Sequence, residues 1–354
     1  MNIAVVGSGV VGSLVALWLK RGGANISLLT ASQRSSADTC SYAAGGMLSP
    51  VAEAVYGSQS IAQAGWDSVN RWSSLLETLK TPVLFGQEGS IVFATSKNYV
   101  ELNEWIKRLS QKFPDGPWEI VEGASIETLE PGISGSARGV IYLKNEGFVD
   151  SRAVLAALMA ALEREQVSVL YGIRATRIDE GVIEAEETIF QYDMVIDCRG
   201  LGAHHDVRGL RGVRGEALLV RAPDVSLNRP IRVLHPRYPI YVVPRERGHY
   251  YIGATVIESE SVGPISVQSL LEILAGLYHF HPGFRYAEVV QTIAHVRPAL
   301  DDHEPRILPR SRLIQINGLY RHGFLLGPIL AESVANLAYG RPVDPRILSW
   351  ITSH

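Results

Sequence analysis

A short apolar run, a glycine-rich turn and a longer apolar stretch open the sequence. Residues 3–6 contain no polar side chain, which is typical of a central parallel strand covered on both faces. Residues 11–20 fit a helix, and residues 25–29 fit the next strand. The pattern therefore predicts a strand–turn–helix–strand unit at this end of the molecule.

The apolar pattern further along the chain alternates between helical spacing and short strand-like runs. Helices are predicted at residues 61–79, 99–109, 151–165, 267–277 and 326–339, and strands at 90–94, 167–170, 194–198, 217–221, 231–234, 240–243 and 250–252. Asp150 stands where its carboxylate can accept from the free N–H groups of a first helical turn. The two ends of the chain thus have an α/β pattern, and the β-rich part between them predicts a second domain inserted into the first.

Composition narrows the classes of protein that remain. The chain has 354 residues, 46% hydrophobic and 19% charged, which suits two packed domains without disorder. Its net charge of -3 gives no support to nucleic acid or an anionic membrane surface as a partner. The two cysteines, Cys40 and Cys198, cannot form a disulfide framework, which fits a cytoplasmic location. Glycines interrupt the apolar run at residues 3–19 and no basic segment precedes it, which argues against a secretory signal.

The glycine-rich turn has the spacing of a dinucleotide-binding site, because Gly7, Gly9 and Gly12 form a GxGxxG between a predicted strand and helix. The first glycine allows a tight turn, the second lets a pyrophosphate approach, and the third permits close packing of helix on strand. The helix N-terminus, at Val10 and Val11, offers free N–H groups to the phosphates. We therefore expect a dinucleotide here.

The end of the second strand departs from this pattern. An acidic residue is expected there to bind ribose hydroxyls, but the chain has Thr30 followed by Ala31. A hydroxyl can bind the ribose as a neutral and weaker partner. Arg34 lies nearby, so NADP remains an alternative to the other dinucleotides.

Several later motifs resemble the FAD-dependent D-amino-acid oxidase family, and within it the bacterial glycine oxidases of thiamine biosynthesis. They occur in family order and cover nearly the whole chain. They are CSYAAGGMLSP at 40–50, DCRGLGA at 197–203, VRGE at 213–216, YVVPR at 241–245, IGAT at 252–255, RPALDD at 297–302 and YRHGFLLGP at 320–328. The combination is specific, although no single motif is.

The resemblance implies a Rossmann-like FAD-binding domain with an inserted antiparallel-sheet substrate domain. It assigns residues 1–80, 140–205 and 296–354 to the FAD-binding domain, and residues 81–139 and 206–295 to the substrate domain. It also implies oxidation of a small amino acid to its imine, with oxygen reduced to hydrogen peroxide. The FAD is expected to be non-covalent, since no cysteine follows Cys198 near the C-terminal motif.

The resemblance also implies roles for individual residues. A substrate carboxylate favours a planar, bidentate arginine, and Arg297 matches the arginine of the family. Tyr241 matches the tyrosine that holds the same group, Arg321 matches a second arginine near flavin and substrate, and Met47 lines the pocket. The implied FAD-binding residues are Gly7, Gly9, Val10, Val11, Gly12, Thr30, Ala31, Ser41, Ala43, Ala44, Gly45, Gly46, Met47, Ala175, Arg199, Gly200, Gly202, Arg297, Arg321, His322, Gly323, Phe324, Leu325 and Leu326.

Two positions differ from glycine oxidases. Pro239 stands where those enzymes can carry a histidine and Val256 where they can carry a methionine, and both are expected on the pocket wall. Sarcosine, D-alanine or D-proline therefore compete with glycine as the substrate. His295 and His322 lie beside motif arginines and are expected to face the cleft, but no histidine has the spacing of a metal site.

Two other classes of flavoprotein stay open. One matures a quinone cofactor in a partner protein, and the other is a dehydrogenase subunit that passes electrons to a partner instead of oxygen. An exposed apolar patch near the cleft would favour either. The sequence leaves both a protein partner and a homo-oligomer open.

Overall fold

The computed structural model describes residues 1–33, 38–133 and 137–352. Arg34, on which the NADP alternative depends, lies outside these residues. In chain order the described strands are β1 (Asn2–Val6), β2 (Asn25–Thr30), β3 (Met47–Leu48), β4 (Phe85–Gly86), β5 (Ser90–Ala94), β6 (Trp118–Glu122), β7 (Gly139–Leu143), β8 (Gly147–Val149), β9 (Ser168–Tyr171), β10 (Arg177–Asp179), β11 (Val182–Ala185), β12 (Thr188–Gln191), β13 (Met194–Asp197), β14 (Arg211–Arg221), β15 (Ile231–Leu234), β16 (Ile240–Pro244), β17 (His249–Gly253), β18 (Ile257–Glu258), β19 (Glu288–Ala299), β20 (Arg306–Pro309) and β21 (Leu313–Asn317).

The helices confirm the predicted helical segments to within a few residues. They are α1 (Val10–Arg21), α2 (Pro50–Ala54), α3 (Gln59–Leu79), α4 (Tyr99–Lys112), α5 (Ser125–Leu129), α6 (Ser151–Arg164), α7 (Val267–Phe280) and α8 (Gly323–Ala338), with 3-10 turns at Ser96–Asn98, Pro131–Ile133, Gly200–Ala203, Glu246–Gly248, Pro282–Tyr286 and Pro345–Trp350. Asp150 caps α6 as predicted, because its carboxylate accepts from the N–H groups of Arg152 and Ala153. Within the described residues, no helix combines the length and apolarity needed to cross a membrane.

A doubly wound sheet forms one half of the molecule, with the strand order β20-β21-β13-β1-β2-β9. Strands β21, β13, β1, β2 and β9 run parallel, and β20 is antiparallel at one edge. One face packs on α1, α3, α6 and α8, and the other face packs on the small sheet β10-β11-β12. The central strands are apolar because they are covered on both faces.

The direction of winding reverses beside β1. The chain leaves β1 for β2 on one side and returns later to β13 on the other. Such a switch point opens a crevice at the carboxyl ends of the strands, where α/β proteins bind their ligands. The predicted GxGxxG lies at this point.

A larger, mostly antiparallel sheet of nine strands forms the other half. Its order is β18-β14-β17-β16-β15-β5-β7-β6, and β19 pairs with β14 along nearly its whole length. The helices α4 and α7 pack on this sheet, each through its own cluster of apolar side chains. The strands β3, β8 and β4 form a small sheet of their own.

The expected boundary between the two domains at residue 140 does not coincide with the sheets. It falls one residue into β7, which pairs with β5 and β6 of the nine-stranded sheet. The expected boundary at residue 296 likewise falls inside β19. The chain leaves the nine-stranded sheet in the turn after Leu143 and again after Ala299. The assignment of each segment to an FAD-binding or a substrate domain stays a prediction.

Candidate active site

A cavity of about 670 Å³ begins at the switch point and extends to one face of the nine-stranded sheet. Its walls include the glycine turn after β1, the segment after β13, the loop at residues 38–49 and the first turn of α8. This volume is in the range of sites for cofactors and drug-sized ligands. The cavity therefore joins the two halves of the fold.

The glycine turn is shaped by close backbone contacts. Gly7 has a φ of +108°, and a Cβ there would lie 2.5 Å from the carbonyl oxygen of Cys198. A Cβ on Gly12 would collide with the carbonyl of Gly7. A Cβ on Gly9 would point instead at the Ser41 hydroxyl, 3.1 Å away. The first and third glycines are thus required by packing, and the second keeps the cavity open where a pyrophosphate is expected.

Two hydroxyls beside the turn are already hydrogen-bonded. Ser41 Oγ accepts from the N–H of Val10 at 3.0 Å, at the start of α1. Thr30 Oγ1 lies 2.7 Å from Ser8 Oγ and accepts from the N–H of Ser32 at 3.2 Å. Thr30 is buried. Its hydroxyl therefore stabilises the turn itself, which leaves it a weaker ribose ligand than a carboxylate would be.

Arg199 lines the cavity, but its guanidinium is already paired with carboxylates of the protein. Its guanidinium binds both oxygens of Asp197, at 2.9 and 2.8 Å, and Asp206 at 2.5 Å. It also donates to the carbonyl of Ala175 at 3.2 Å. Burial lowers the pKa of Arg199, but the two carboxylates outweigh burial and raise it. Arg199 thus holds the loop at Ala175 against the end of β13.

The first turn of α8 faces the cavity. The helix begins at Gly323, three residues earlier than predicted, so the N–H groups of Gly323, Phe324 and Leu325 lie at its positive end. Pro328 inside the helix has no N–H to donate to the carbonyl of Phe324, and Trp72 Nε1 donates to that carbonyl instead, at 2.8 Å. This indole fixes the turn that lines the cavity.

Arg297 lies at the sheet end of the cavity. It projects from β19, and its Nη1 donates to the carbonyl of Thr255 at 3.2 Å. Its guanidinium forms no ion pair with any carboxylate of the described residues. A half-buried cation of this kind has donors left for an external carboxylate.

A pair of tyrosines lies beside Arg297. The rings of Tyr241 and Tyr251 are stacked with centroids 6.1 Å apart and planes 7° apart. Tyr251 donates to the carbonyl of Ala43 at 2.7 Å, and its burial raises the pKa of its phenol well above the usual value. Gly45 packs against both rings, and Met47 lines the same region. The loop at residues 38–49 and the nine-stranded sheet therefore meet at these rings.

Arg321 is paired with a largely buried carboxylate. Glu53 on α2 lies 2.5 Å from Arg321 and 2.9 Å from Arg232, and all three line the cavity. Burial alone would raise the pKa of Glu53, but the Arg321 and Arg232 guanidiniums hold it far below its usual range. In turn, the Glu53 carboxylate raises the pKa of Arg321. The single negative charge of Glu53 is thus shared by two guanidiniums, and the group of three side chains keeps a net positive charge.

A second glutamate, Glu146, is fully buried and supports α2 from behind. Glu146 accepts from the N–H of Ala52 at 2.8 Å and from the hydroxyl of Ser90 at 2.5 Å. Burial raises its pKa to about 7, against which these hydrogen bonds and nearby Arg232 act. Glu146 therefore connects α2, which carries Glu53, to the nine-stranded sheet.

The structure brings most of the predicted site residues together and leaves two outside. The predicted residues that line the cavity are Gly7, Gly9, Val10, Val11, Gly12, Thr30, Ala31, Ser41, Ala43, Ala44, Gly45, Gly46, Met47, Ala175, Arg199, Gly200, Gly202, Tyr241, Arg297, Arg321, Gly323, Phe324 and Leu325. His322 and Leu326 do not line it, because both side chains point into the protein. Burial lowers the pKa of His322 to about 4, so it is neutral at physiological pH.

The expectation for Pro239 and Val256 was wrong. Neither lines the cavity, and both are exposed, Val256 by 53%. His295 does line the cavity, as expected. Burial acts to lower the pKa of His295, but its contacts outweigh burial and raise the pKa above the usual value. The largest of these contributions comes from the hydrogen bond with Cys40.

Sequence reasoning missed Glu53, Arg232 and Tyr251. Only Tyr251 had a usable signal, since it lies in the predicted strand at residues 250–252 and directly precedes the IGAT motif. Among the described residues, no cluster of histidine, cysteine and carboxylate side chains is arranged to hold a metal ion.

Comparison with known proteins agrees with this geometry. A family model described as FAD dependent oxidoreductase, DAO, matches residues 2–337. A Rhizobium etli protein named as a thiamine biosynthesis oxidoreductase, ThiO, is 38% identical over 95% of each chain. A protein of Bacillus licheniformis named glycine oxidase is 24% identical over 96% of this chain and 93% of its own. The crystal structure of glycine oxidase from Geobacillus kaustophilus has the same fold, with a TM-score of 0.86, 22% identity, and coverage of 99% of this chain and 97% of its own.

Proposed function

The chain belongs to the DAO family of FAD-dependent oxidoreductases, and on that premise we propose that it oxidises glycine or another small amino acid. The products are the imine, which water converts to the 2-oxo acid and ammonia, and hydrogen peroxide from oxygen. Bound FAD supplies this two-electron chemistry. The chain's own residues bind the substrate, orient it and exclude water.

The cavity fits FAD at its dinucleotide end. The glycine turn leaves room for a pyrophosphate between Gly9 and the start of α1, where N–H groups and the helix dipole favour negative charge. The first turn of α8 offers a second set of N–H groups, which suits negative charge on the flavin ring. Arg199 orders the loop at Ala175, near which we place the adenine.

The guanidinium of Arg297 is the single observation on which the proposal of a carboxylate-bearing substrate rests. Its guanidinium is half-buried, lines the cavity and has no carboxylate partner among the described residues. A carboxylate from the substrate fills that place with charge-assisted hydrogen bonds. Tyr241 lies in the same region, and we assign its hydroxyl to the same carboxylate.

Arg321 has a different role from Arg297. Its guanidinium is paired with Glu53 at 2.5 Å, whereas that of Arg297 has no carboxylate partner among the described residues, so Arg321 offers only its remaining donors to the cavity. We assign it to the wall beside the reacting atoms, together with Met47. Neither residue has to remove a proton, provided that the amine of the substrate is neutral when the hydride leaves.

We also propose that this oxidation serves thiamine biosynthesis in the cytoplasm. The support is the 38% identity to the Rhizobium etli protein, whose name places it in that pathway. The relatives reported above favour neither the maturation of a quinone cofactor nor a dehydrogenase subunit. A protein partner and a homo-oligomer remain part of the hypothesis.

An aerobic peroxide assay with a visible spectrum tests the proposal. Purified protein is given glycine, sarcosine, D-alanine and D-proline in parallel. We expect a flavin spectrum and rapid peroxide formation with at least one of them, which also ranks the substrates. A flavin spectrum without turnover of any of the four would reject the oxidase and direct the search to a protein partner.

A further inference from the structure

Two glycines lie side by side on the cavity face of the nine-stranded sheet. Across that part of the sheet the strands follow in the order β19, β14, β17 and β16. Gly215 is on β14 and Gly253 is on β17. The last pair of these two strands is Leu218 with Ile252, and continuing that register by one residue sets Gly253 opposite the position of Ala217, two residues from Gly215 on the same face. The two central strands therefore lack side chains at neighbouring positions, and the sheet has a recess there.

The guanidinium of Arg297 lies in this recess over Gly215. Arg297 comes from β19, the strand on one side, where it pairs with Val213. A Cβ on Gly215 would lie 2.5 Å from Nη1 of Arg297 and closer still to the rest of the guanidinium. Any side chain at position 215 would therefore displace the guanidinium.

The ring of Tyr241 enters the same recess from the other side, over Gly253. Tyr241 is on β16 and is paired directly with Gly253. A Cβ on Gly253 would lie 2.6 Å from the hydroxyl oxygen of Tyr241 and 2.6 Å from the ring carbon that bears it. The phenol thus lies flat across the neighbouring strand.

These contacts decide how far apart the two polar groups are. β19 and β16 are three strand spacings apart, roughly 14 Å at about 4.8 Å each. Upright side chains on them would stay at that separation. Since each leans one strand inwards, their polar groups lie over diagonal neighbours of adjacent strands, roughly 7–8 Å apart. A carboxylate bridges such a span with two hydrogen bonds of about 2.9 Å.

We propose that Gly215 and Gly253 are positioning residues that bring Arg297 and Tyr241 together into one seat for the substrate carboxylate. The inference rests on the proposed function, because it deepens the account of the same site. Gly215 acts through Arg297, and Gly253 acts through Tyr241. Neither glycine touches the substrate.

Binding of acetate to the FAD-bound protein tests the proposal without turnover. The readout is the change in the visible flavin spectrum as acetate is added. We expect Gly215→Ala to weaken acetate binding about tenfold or more while the FAD content stays normal. Gly253→Ala is the second variant and should act in the same direction. Gly263→Ala is the control, because the nearest atom to a Cβ there is Ser261 Oγ at 3.6 Å.

A double-mutant cycle with Arg297→Ala separates positioning from a general effect on the fold. In the Arg297→Ala background, Gly215→Ala should weaken acetate binding no further. Equal acetate binding by Gly215→Ala and the unmodified protein, or additive effects in the cycle, would overturn the proposal. Absence of acetate binding to the unmodified protein would overturn it as well. Normal acetate binding with no oxidation of any amino acid would reject the oxidase function and leave the carboxylate seat in place.

Discussion

Glu53 and Arg321 form an ion pair at 2.5 Å although 268 residues separate them along the chain. Glu53 lies on α2, and Arg321 lies just before α8, so the pair ties α2 to the helix whose first turn lines the cavity. Arg232 from the nine-stranded sheet binds the other oxygen of the same carboxylate. The carboxylate of Glu53 therefore connects three parts of the fold.

Replacing this carboxylate should destabilise the protein. Glu53→Gln keeps the shape of the side chain but leaves two guanidiniums without a counter-charge, and we expect the free energy of unfolding to fall by about 3 kcal/mol. Urea unfolding of the FAD-saturated protein measures it. Glu119→Gln is the control, since Glu119 forms an exposed pair with Lys144 and should cost less than about 1 kcal/mol. Equal effects of the two variants would contradict the role of Glu53.

Loss of Arg297 should impair substrate binding and leave the cofactor bound. For Arg297→Ala we expect kcat/KM for the best amino-acid substrate to fall about 100-fold or more, because a charge-assisted pair is removed. The visible spectrum should show a normal FAD content. Arg221→Ala removes an exposed arginine paired with Glu288 and serves as the control. Unchanged kcat/KM in Arg297→Ala would remove this residue from the site.

A larger residue at the second glycine of the turn should exclude the cofactor. Gly9→Val places a branched side chain where we expect the pyrophosphate to bind, while the backbone there needs no positive φ. We expect a folded protein by far-UV circular dichroism and little or no bound FAD. A variant that folds and binds a full equivalent of FAD would show that the phosphates lie elsewhere.

Glu146 should make stability depend on pH in a defined window. Burial raises its pKa to about 7 in the folded protein, from an ordinary value of 4.5. The folded state therefore holds a proton that the unfolded state releases, so this contribution to stability is complete below pH 4.5 and is lost as the pH rises to 7. The loss amounts to about 1 kcal/mol per pH unit between these values.

Glu146→Gln tests that window, because the amide does not titrate. Relative to the unmodified protein, the variant should gain about 1 kcal/mol of unfolding free energy per pH unit between pH 5 and 7. Urea unfolding at pH 5, 6 and 7 measures the difference, with exposed Glu187→Gln as the control. A constant difference between Glu146→Gln and the unmodified protein at all three pH values would refute it.

Local chemistry made the first unit of the fold predictable from sequence. The apolar run predicts β1, the three glycines predict the turn, and the helical spacing that follows predicts α1. These local signals all favour the same structure. The start of α8 was less clear, because Gly323 and Pro328 disfavour a helix locally. The helix forms there because the indole of Trp72 supplies the hydrogen bond that Pro328 cannot.

Features that depend on contacts between distant parts of the chain could not be predicted from the sequence. Strand β19 gave no alternating pattern, since its first residues are exposed and Val289 and Val290 are adjacent. It is defined by its pairing with β14. Glu53 and Arg232 could not be connected from the sequence, because their contact joins positions 179 residues apart.

The pairing of β5 with β15 has a consequence for how the chain folds. Ile91 on β5 pairs in parallel with Ile231 on β15, and the doubly wound sheet in turn needs β21 at Leu313–Asn317. During synthesis, neither sheet can close until most of the chain has left the ribosome, and parallel pairing over such separations is slow. The unfinished chain exposes apolar strand edges during that time. We therefore expect the nascent chain to be more prone to aggregation than a chain built from consecutive hairpins.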